Sequence, residues 1–519
     1  MKKYLLLVLL SCNILSEEKP NIIIILTDDL GWGDVSYNGG PISTPNIDKL
    51  SKIGVQMNRF YSAPTCSPTR AALFTGINSL QNGMIRPFDN PTAERYGLPL
   101  KHKILPEYLK EVGYQTALVG KWHLGMYKDE YLPSNRGFDS TYGHLGGGIG
   151  YFDHAVSGRM DWHRDGEVLY EEGYSTKLIA NEAIKIINEK DNDSPLFLYV
   201  AFNAPHTPIQ AEDDDIILMS HIKDDRERIY AANIYALDRA IGDIIDSIEE
   251  EELSDNTMII FFSDNGPVHD IDPVAAVVAA DILNSRGNTL GLKGSKGSTY
   301  EGGIRVPAII YFKGILENSL SNQFFFADDI LPTILSAANI QLDSNNFTGV
   351  DRWNDLVSKN IKPPKNSITG NVIINDERAL FNDNWKLYYR RFIYDNNSDP
   401  IFELYDIQND PYETNELSAT YPDIFEEMKN TLNDMPFVLA PEYFNATHAY
   451  LYGDKYNGIN GDPWLDRTYE EKEFHTPIVQ AFVFTWIIFL SFKQITIPLL
   501  ILLLIFTYYI YYKRKYRSK

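Results

Sequence analysis

Cysteine is scarce in this chain. Two thiols in 519 residues are too few for a disulfide-stapled fold or a Cys-rich zinc module. Positive charge is also short, with 47 Lys+Arg against 70 Asp+Glu and a formal net charge of −23. That balance excludes the basic footprint a nucleic-acid binder needs, so no nucleic-acid partner is expected. No internal repeat is visible. What the chain does contain is 44% hydrophobic and 13% aromatic residues, which rules out a disordered polymer. The length suits one large domain, or a large domain with a smaller one.

Long apolar runs are confined to the two ends. Met1–Ser16 places Lys2 and Lys3 ahead of the run Tyr4–Leu10 and reads as a secretory signal peptide. Acylation at Cys12 is the alternative. Ile495–Tyr512 carries no charge and is followed by a basic tail, 513–519. It is long enough to span a bilayer, with the tail on the cytoplasmic side. A second apolar stretch, Ile478–Phe492, broken from the first by Lys493, either lengthens the span, lies in the interface or forms a hairpin within a membrane region at 476–512. The expectation is a single-pass type I membrane protein of the secretory pathway, its bulk lumenal or extracellular, in the lysosome or at the cell surface. Sequons at Asn192, Asn346, Asn396 and Asn445 fall in the portion outside the membrane. Removing the eight basic residues of the two ends moves the formal charge from −23 to −31, and leaves Cys66 as the only thiol of the ectodomain.

Between the ends, short apolar runs alternate with amphipathic ones. Asn21–Thr27, Leu196–Phe202, Met258–Ser263 and Pro307–Phe312 read as strands buried on both faces. Ser175–Asn188 and Glu227–Glu249 carry apolar residues at helical spacing. The pattern predicts an α/β fold, with a large mostly parallel or mixed sheet flanked by helices. From Asn371 the texture changes to short strands and turns (Trp385–Phe392, Ile401–Ile407) and a helix near Ile424–Leu432. The expected organisation is a catalytic domain at 17–370, a smaller antiparallel α+β subdomain at 371–440 and a stalk at 441–475.

In parallel sheets function gathers at the carboxyl ends of the strands. The first strand ends in Thr27-Asp28-Asp29, the second in Asn203-Ala204-Pro205-His206, and the third in Ser263-Asp264-Asn265-Gly266. Any one of these polar ends could be a turn or a helix cap; three together point to a site. Asp28, Asp29, Asp264 and Asn265 offer only oxygen, which suits Ca²⁺ or Mg²⁺ and not zinc.

Around the lone ectodomain thiol the sequence runs Cys66-Ser67-Pro68-Thr69-Arg70. A Cys-x-Pro-x-Arg triplet is expected by chance about 0.004 times in a chain of this composition. This box is the sulfatase signature. The chain resembles the sulfatases of the alkaline phosphatase-like superfamily from about Pro20 to Met428. Further blocks match in order: Asp28 to Asp34, Gly120-Lys121-Trp122-His123-Leu124-Gly125, Pro205-His206, Asp264-Asn265-Gly266, and Lys296 ahead of Glu301-Gly302-Gly303. Leu132–Gly143 and Pro195–Gln210 look most like arylsulfatase B, the N-acetylgalactosamine-4-sulfatase, and its close relatives.

The resemblance implies a sulfuric ester hydrolase acting on a sulfated glycan or aryl sulfate. It implies that a formylglycine-generating enzyme oxidises Cys66 to formylglycine, whose hydrate attacks sulfur through one hydroxyl and expels sulfate through the other. One Ca²⁺ would be held by Asp28, Asp29, Asp264, Asn265 and the residue at position 66, polarising the ester. Arg70 and Lys121 would hold the formylglycine, and His123 would take the second hydroxyl's proton. His206 and Lys296 would bind sulfate and protonate the departing alcohol, with Lys293 the rival to Lys296. His144, His154 and His163 lie in or beside a Gly-rich stretch that either lines the pocket or forms an exposed loop. Two other classes fit parts of this pattern: a phosphate or phosphonate ester hydrolase of the same superfamily, and a non-catalytic, membrane-tethered receptor for sulfated glycans. The chain departs from arylsulfatase B-like sequences in lacking structural disulfides and in the texture of Val268–Asn288.

Overall fold

Four consecutive isoleucines make β1 (Asn21–Thr27) apolar on both faces, and all seven of its residues are buried. A strand of this kind has to sit inside a sheet covered on both sides. In the computed structural model it does. The structure describes residues 19–436 apart from 88–96, 157, 192, 270–285, 342–345, 373–374 and 393–398. The signal segment 1–16, the stalk 441–475, the membrane region 476–512 and the tail 513–519 lie outside the described residues, as do Asn192, Asn396 and Asn445. Among the described residues no helix is long and apolar enough to cross a membrane.

After β1 the chain forms β2 (Val55–Tyr61), β3 (Gln115–Lys121), β4 (Ser140–His144), the two-residue strands β5 (Ala155–Val156), β6 (Arg159–Met160), β7 (His163–Arg164) and β8 (Glu167–Val168), then β9 (Leu196–Ala201), β10 (Thr257–Ser263), β11 (Ala308–Phe312) and β12 (Ser319–Phe326). Ten of these form one sheet in the order β12-β2-β11-β10-β1-β9-β3-β4-β7-β8. Its centre, β10 to β4, is parallel throughout. β11 runs antiparallel to β10, so the sheet is mixed.

Helices cover both faces. Ile23 and Ile25 face the helices Pro45–Ile53, Ser175–Asn188 and Asp225–Glu250, whose Ile47, Ile179, Ile234 and Ile241 complete that layer. On the other face Phe74 of the helix Cys66–Thr75 packs edge-on against Tyr199 of β9, with ring centroids 4.9 Å apart. The periodicity located Ser175–Asn188 to the residue. The helix expected at Glu227–Glu249 begins earlier because the Asp224 carboxylate caps it, accepting from the backbone N–H groups of Arg226 and Glu227.

Four more strands, β13 (Ser367–Val372), β14 (Asn375–Asn382), β15 (Trp385–Phe392) and β16 (Ile401–Asp406), form a separate antiparallel meander. Met428 and Leu432 of the helix Pro422–Asp434 close one face over Leu380, Leu387 and Leu404. The other face meets the large sheet through Phe381, Tyr388 and Tyr405 against Tyr61, Phe324 and Phe326. β13 starts at Ser367, on the near side of the boundary expected at 371.

Buried charge accompanies this apolar contact. Lys386 Nζ, fully buried on β15, donates to Glu301 at 3.0 Å and pairs with Glu413 at 2.8 Å. Tyr61 Oη donates to the other Glu301 oxygen at 3.1 Å. Removing one partner from such a group strands the remaining charges. Lys386→Met is therefore expected to lower unfolding free energy by about 3–5 kcal/mol, read by denaturant titration.

The C-terminal residue of β4 carries a second buried ionisable group. His144 is 1% exposed, and neither ring nitrogen has a hydrogen-bond partner among the described residues. Burial, with help from the Lys121 and Arg70 cations, drives its pKa from the ordinary 6.5 to about 3, although Asp161 and Asp28 pull the other way. The folded state thus disfavours the protonated ring. Its contribution is complete above about pH 6.5 and is lost as pH falls toward 3. Unfolding titrations of His144→Phe should lose less stability than the parent over that window, the difference approaching about 1.4 kcal/mol per pH unit.

Candidate active site

The parallel strands deliver their polar ends to one rim. Asp28 and Asp29 follow β1, Asp264 and Asn265 follow β10, Lys121 ends β3, and His206 follows β9 after a short turn. All but His206 are at least nine-tenths buried. Lys121 is not at a surface-exposed strand end: its side chain is fully buried and its Nζ lies 2.5 Å from Asp28 Oδ2. Two site residues adopt left-handed backbone, Asp29 at φ 69° and His123 at φ 57°. That conformation is uncommon outside glycine and recurs where function fixes the backbone.

Cations and carboxylates interleave across the rim. Arg70 donates Nε and Nη2 to Asp264 Oδ2 at 3.0 and 2.7 Å, and Nη1 to the Lys121 carbonyl at 2.8 Å. Lys296 Nζ sits 2.6 Å from Asp29 Oδ1, and Asn265 Nδ2 donates to the same oxygen at 2.6 Å. Three carboxylates, Asp28, Asp29 and Asp264, therefore face three cations, Arg70, Lys121 and Lys296. Burial opposes ionisation at Asp28, but Lys121, His206, Arg70 and Lys296 outweigh it and hold that carboxyl far below the usual range. Burial and the Asp28 charge push Asp264 up to about 7 in spite of Arg70. Lys296 is desolvated, yet Asp29 more than compensates and raises its pKa.

Cys66 opens the helix Cys66–Thr75 and is 2% exposed. Its Sγ lies 3.2 Å from His123 Nδ1, and Ser67 Oγ donates to the His123 carbonyl at 2.9 Å. Burial pushes the Cys66 thiol up, against the pull of Lys121 and Lys296. The side chain is thus a poor thiolate in its unmodified form. His206 donates through Nδ1 to the Thr207 carbonyl, 2.7 Å away, and its Nε2 is 3.9 Å from Asp29 Oδ2. Burial, then Lys296, lowers its pKa.

The donor set fits a hard cation. Oxygen atoms of Asp28 and Asp264 and the Cys66 Sγ lie within 4.8 Å of one another. Asp28 Oδ1 and Asn265 Oδ1 are buried and have no hydrogen-bond partner among the described residues. Buried oxygens left in this way are expected to meet a partner of opposite charge. Positive charge placed there would also relieve the repulsion between Asp28 and Asp264. Among the described residues, the donors gathered with these oxygens are the Cys66 Sγ in one group and a His206 nitrogen, with Asp28 and Asp29, in the other.

Of the two lysines considered for sulfate, Lys296 reaches the rim. Lys293 is turned away, to Tyr405 Oη at 2.8 Å and Glu403 at 3.4 Å. Two of the three histidines in or beside the Gly-rich stretch are not exposed loop residues: His144 and His154 are buried, and the His154 and Trp162 ring centroids are 4.6 Å apart. His163, half-buried, contacts Asp161 at 3.0 Å. The Gly-rich stretch does roof the site. A Cβ at Gly147 would lie 2.8 Å from His123 Nε2, and one at Gly148 3.0 Å from the His206 ring.

Sequence reasoning passed over Asp34. It is fully buried, accepts from the backbone N–H of Gly31 at 2.7 Å and of Asn288 at 3.0 Å, and from Tyr230 Oη at 2.8 Å. Burial pushes it up to about 7. It ties the turn after Asp29 to the far side of the site. Its place in the Asp28–Asp34 block was the available signal, but nothing in that block tells a brace from a ligand.

Known proteins resemble this chain in sequence and in fold. The sulfatase family model matches residues 20–340. Arylsulfatase J of Mus musculus is 31% identical over 508 residues, covering 88% of this chain and 82% of its own. N-acetylgalactosamine-6-sulfatase of Homo sapiens is 32% identical over 344 residues, 62% of this chain and 63% of its own. The crystal structure of Ps i-CgsB in complex with k-i-k-neocarrahexaose superposes with a TM-score of 0.72 at 30% identity, covering 84% of this chain and 97% of that one. With its signature box, its rim of paired charges and a family match over the whole large sheet, the chain belongs to the sulfatase family and is a sulfuric ester hydrolase.

Proposed function

We propose that this sulfatase removes sulfate from a sulfated glycan or aryl sulfate, using a formylglycine made from Cys66 and one Ca²⁺. The observation that carries the reading is the pair of partnerless buried oxygens, Asp28 Oδ1 and Asn265 Oδ1, on the rim that also holds Cys66. Asp28, Asp29, Asp264, Asn265 and the residue at position 66 would hold the ion. When present, the ion supplies positive charge against the sulfate oxygens, and the aldehyde hydrate at position 66 supplies a nucleophilic hydroxyl. The raised thiol pKa supports a modified residue there in preference to a working thiolate.

The other residues then have defined tasks. His123 Nδ1, beside the position 66 side chain, accepts a proton there. Arg70 and Lys121 hold Asp264 and Asp28 in place and add positive charge around position 66. Lys296, kept cationic by Asp29, meets the sulfate and gives a proton to the departing oxygen, with His206 beside it. The charge count is consistent with this chemistry. The rim pairs three carboxylates with three cations, and a divalent cation would bring the excess positive charge that receives the single negative charge of the sulfate ester. The similarity to N-acetylgalactosamine-6-sulfatase and to a structure with bound neocarrahexaose supports a glycan in preference to a small aryl ester. The terminal segments support placement as a type I membrane enzyme of the secretory pathway, matured by a formylglycine-generating enzyme.

Mass spectrometry of the tryptic peptide ending at Arg70, from protein made in its native host, should show the mass of an aldehyde at position 66. Cys66→Ala should abolish sulfate release. An unmodified thiol in an active preparation would defeat the formylglycine reading, and in an inactive one it would favour a glycan receptor. Chelation should remove activity and Ca²⁺ restore it. Asn265→Ala is expected to need about tenfold more Ca²⁺ for half-maximal activity. It should also weaken the Ca²⁺-induced rise in melting temperature, measured in the Cys66→Ala background.

A further inference from the structure

The segment that presents Lys296 is held from outside the large sheet. On the inner side, Lys296 N–H donates to the Pro267 carbonyl at 2.9 Å and Gly297 N–H to the Pro64 carbonyl at 2.7 Å. On the outer side every strand of the C-terminal sheet reaches the same stretch. Asn371 on β13 donates Nδ2 to the Gly297 carbonyl at 3.2 Å. Glu377 on β14 accepts the Thr299 N–H at 3.2 Å. From β15, Lys386 pairs with Glu301, and Tyr388 stacks on Tyr300 with centroids 4.0 Å apart. From β16, Glu403 accepts from Tyr300 Oη at 2.6 Å and Tyr405 Oη accepts from Lys293 Nζ at 2.8 Å.

We propose that the C-terminal sheet is the device that seats Lys296, and that Asn371 and Glu377 are its positioning residues. Neither touches the rim itself. Both grip backbone within three residues of Lys296, and Glu377 is 7% exposed, so its bond to Thr299 is shielded from water. A lysine on a bent loop has several rotamers, and holding the flanking peptide groups fixes where its ammonium can arrive. The consequence for this enzyme is a fold whose smaller sheet governs the leaving-group side of the reaction. This rests on the reading above in which Lys296 meets the sulfate and the departing oxygen.

The test is a kinetic cycle on the full chain loaded with Ca²⁺, using nitrophenyl sulfate and a sulfated sugar with a poorer leaving group. Glu377→Ala and Asn371→Ala should each lower kcat roughly tenfold, with a larger loss on the sugar sulfate and little change in KM for the aryl ester. Glu377→Gln keeps an acceptor for the Thr299 N–H and should stay within about twofold of the parent. In a Lys296→Ala background Glu377→Ala should add nothing, because the group it places is gone. Full multiplicative losses in that background, or a Gln variant as impaired as the Ala variant, would overturn the positioning role and leave Lys296 in place. A fully active Lys296→Ala would overturn the role of Lys296 itself, and the positioning role with it. Melting temperatures of all variants identify any loss that follows unfolding.

Discussion

Everything at this rim follows from the difficulty of burying like charges together. Asp28, Asp29 and Asp264 are all at most 3% exposed and converge from two neighbouring strand ends. Charges withdrawn from water at that spacing are tolerated only beside counter-charges. Arg70, Lys121 and Lys296 supply them, each from a different part of the chain. The pairing is incomplete by design of the geometry, since Asp28 Oδ1 and Asn265 Oδ1 are left with no donor. The site is thus neutral overall and electron-rich locally, the condition under which a cation and an anion are better accommodated together than singly.

The architecture serves that constraint. Parallel pairing of β10, β1, β9 and β3 aligns strand ends in register, so that Asp28 and Asp264, separated by more than 200 residues in sequence, become neighbours. The helix Cys66–Thr75 brings Cys66 and Arg70 in from one face, on one turn. The glycine-rich stretch closes from above at a distance that only residues without a side chain permit. Asp34 and the Glu301–Lys386–Glu413 group then brace the loops that carry the acidic and basic sides.

Much of this was legible in the sequence because the informative residues are contiguous. Asp28-Asp29, Asp264-Asn265 and the Cys66 to Arg70 box each lie at the boundary of one apolar run, where periodicity marks an element's end. The strand Asn21–Thr27 and the helix Ser175–Asn188 were read to the residue. What escaped was partnership across distance. The block around Lys121 marks it as a site residue, but that its partner is Asp28, 2.5 Å away, emerges only from the packing. His144 and His154 lie in glycine-rich sequence that suggests exposure, and only the packing of Trp162 shows that they are enclosed. Lys386 and Glu413 carry no local pattern at all; their meaning lies in Glu301, 85 and 112 residues earlier.

The seclusion of Cys66 also sets a timetable for biosynthesis. Its surroundings come from His123, Asp264 and Lys296, and Arg70 beside it waits for Asp264, 194 residues downstream. Until Leu196–Ala201 is made, β1 has neither β9 nor β10 to pair with, and until Asp264 is made Arg70 lacks its carboxylate partner. A formylglycine-generating enzyme of the proposed kind would need position 66 and its neighbours before these partners enclose them. At the synthesis rates of about 5–20 residues per second typical of translation, 194 residues occupy some tens of seconds. Once β10 docks, the thiol is sealed in whichever chemical state it has reached.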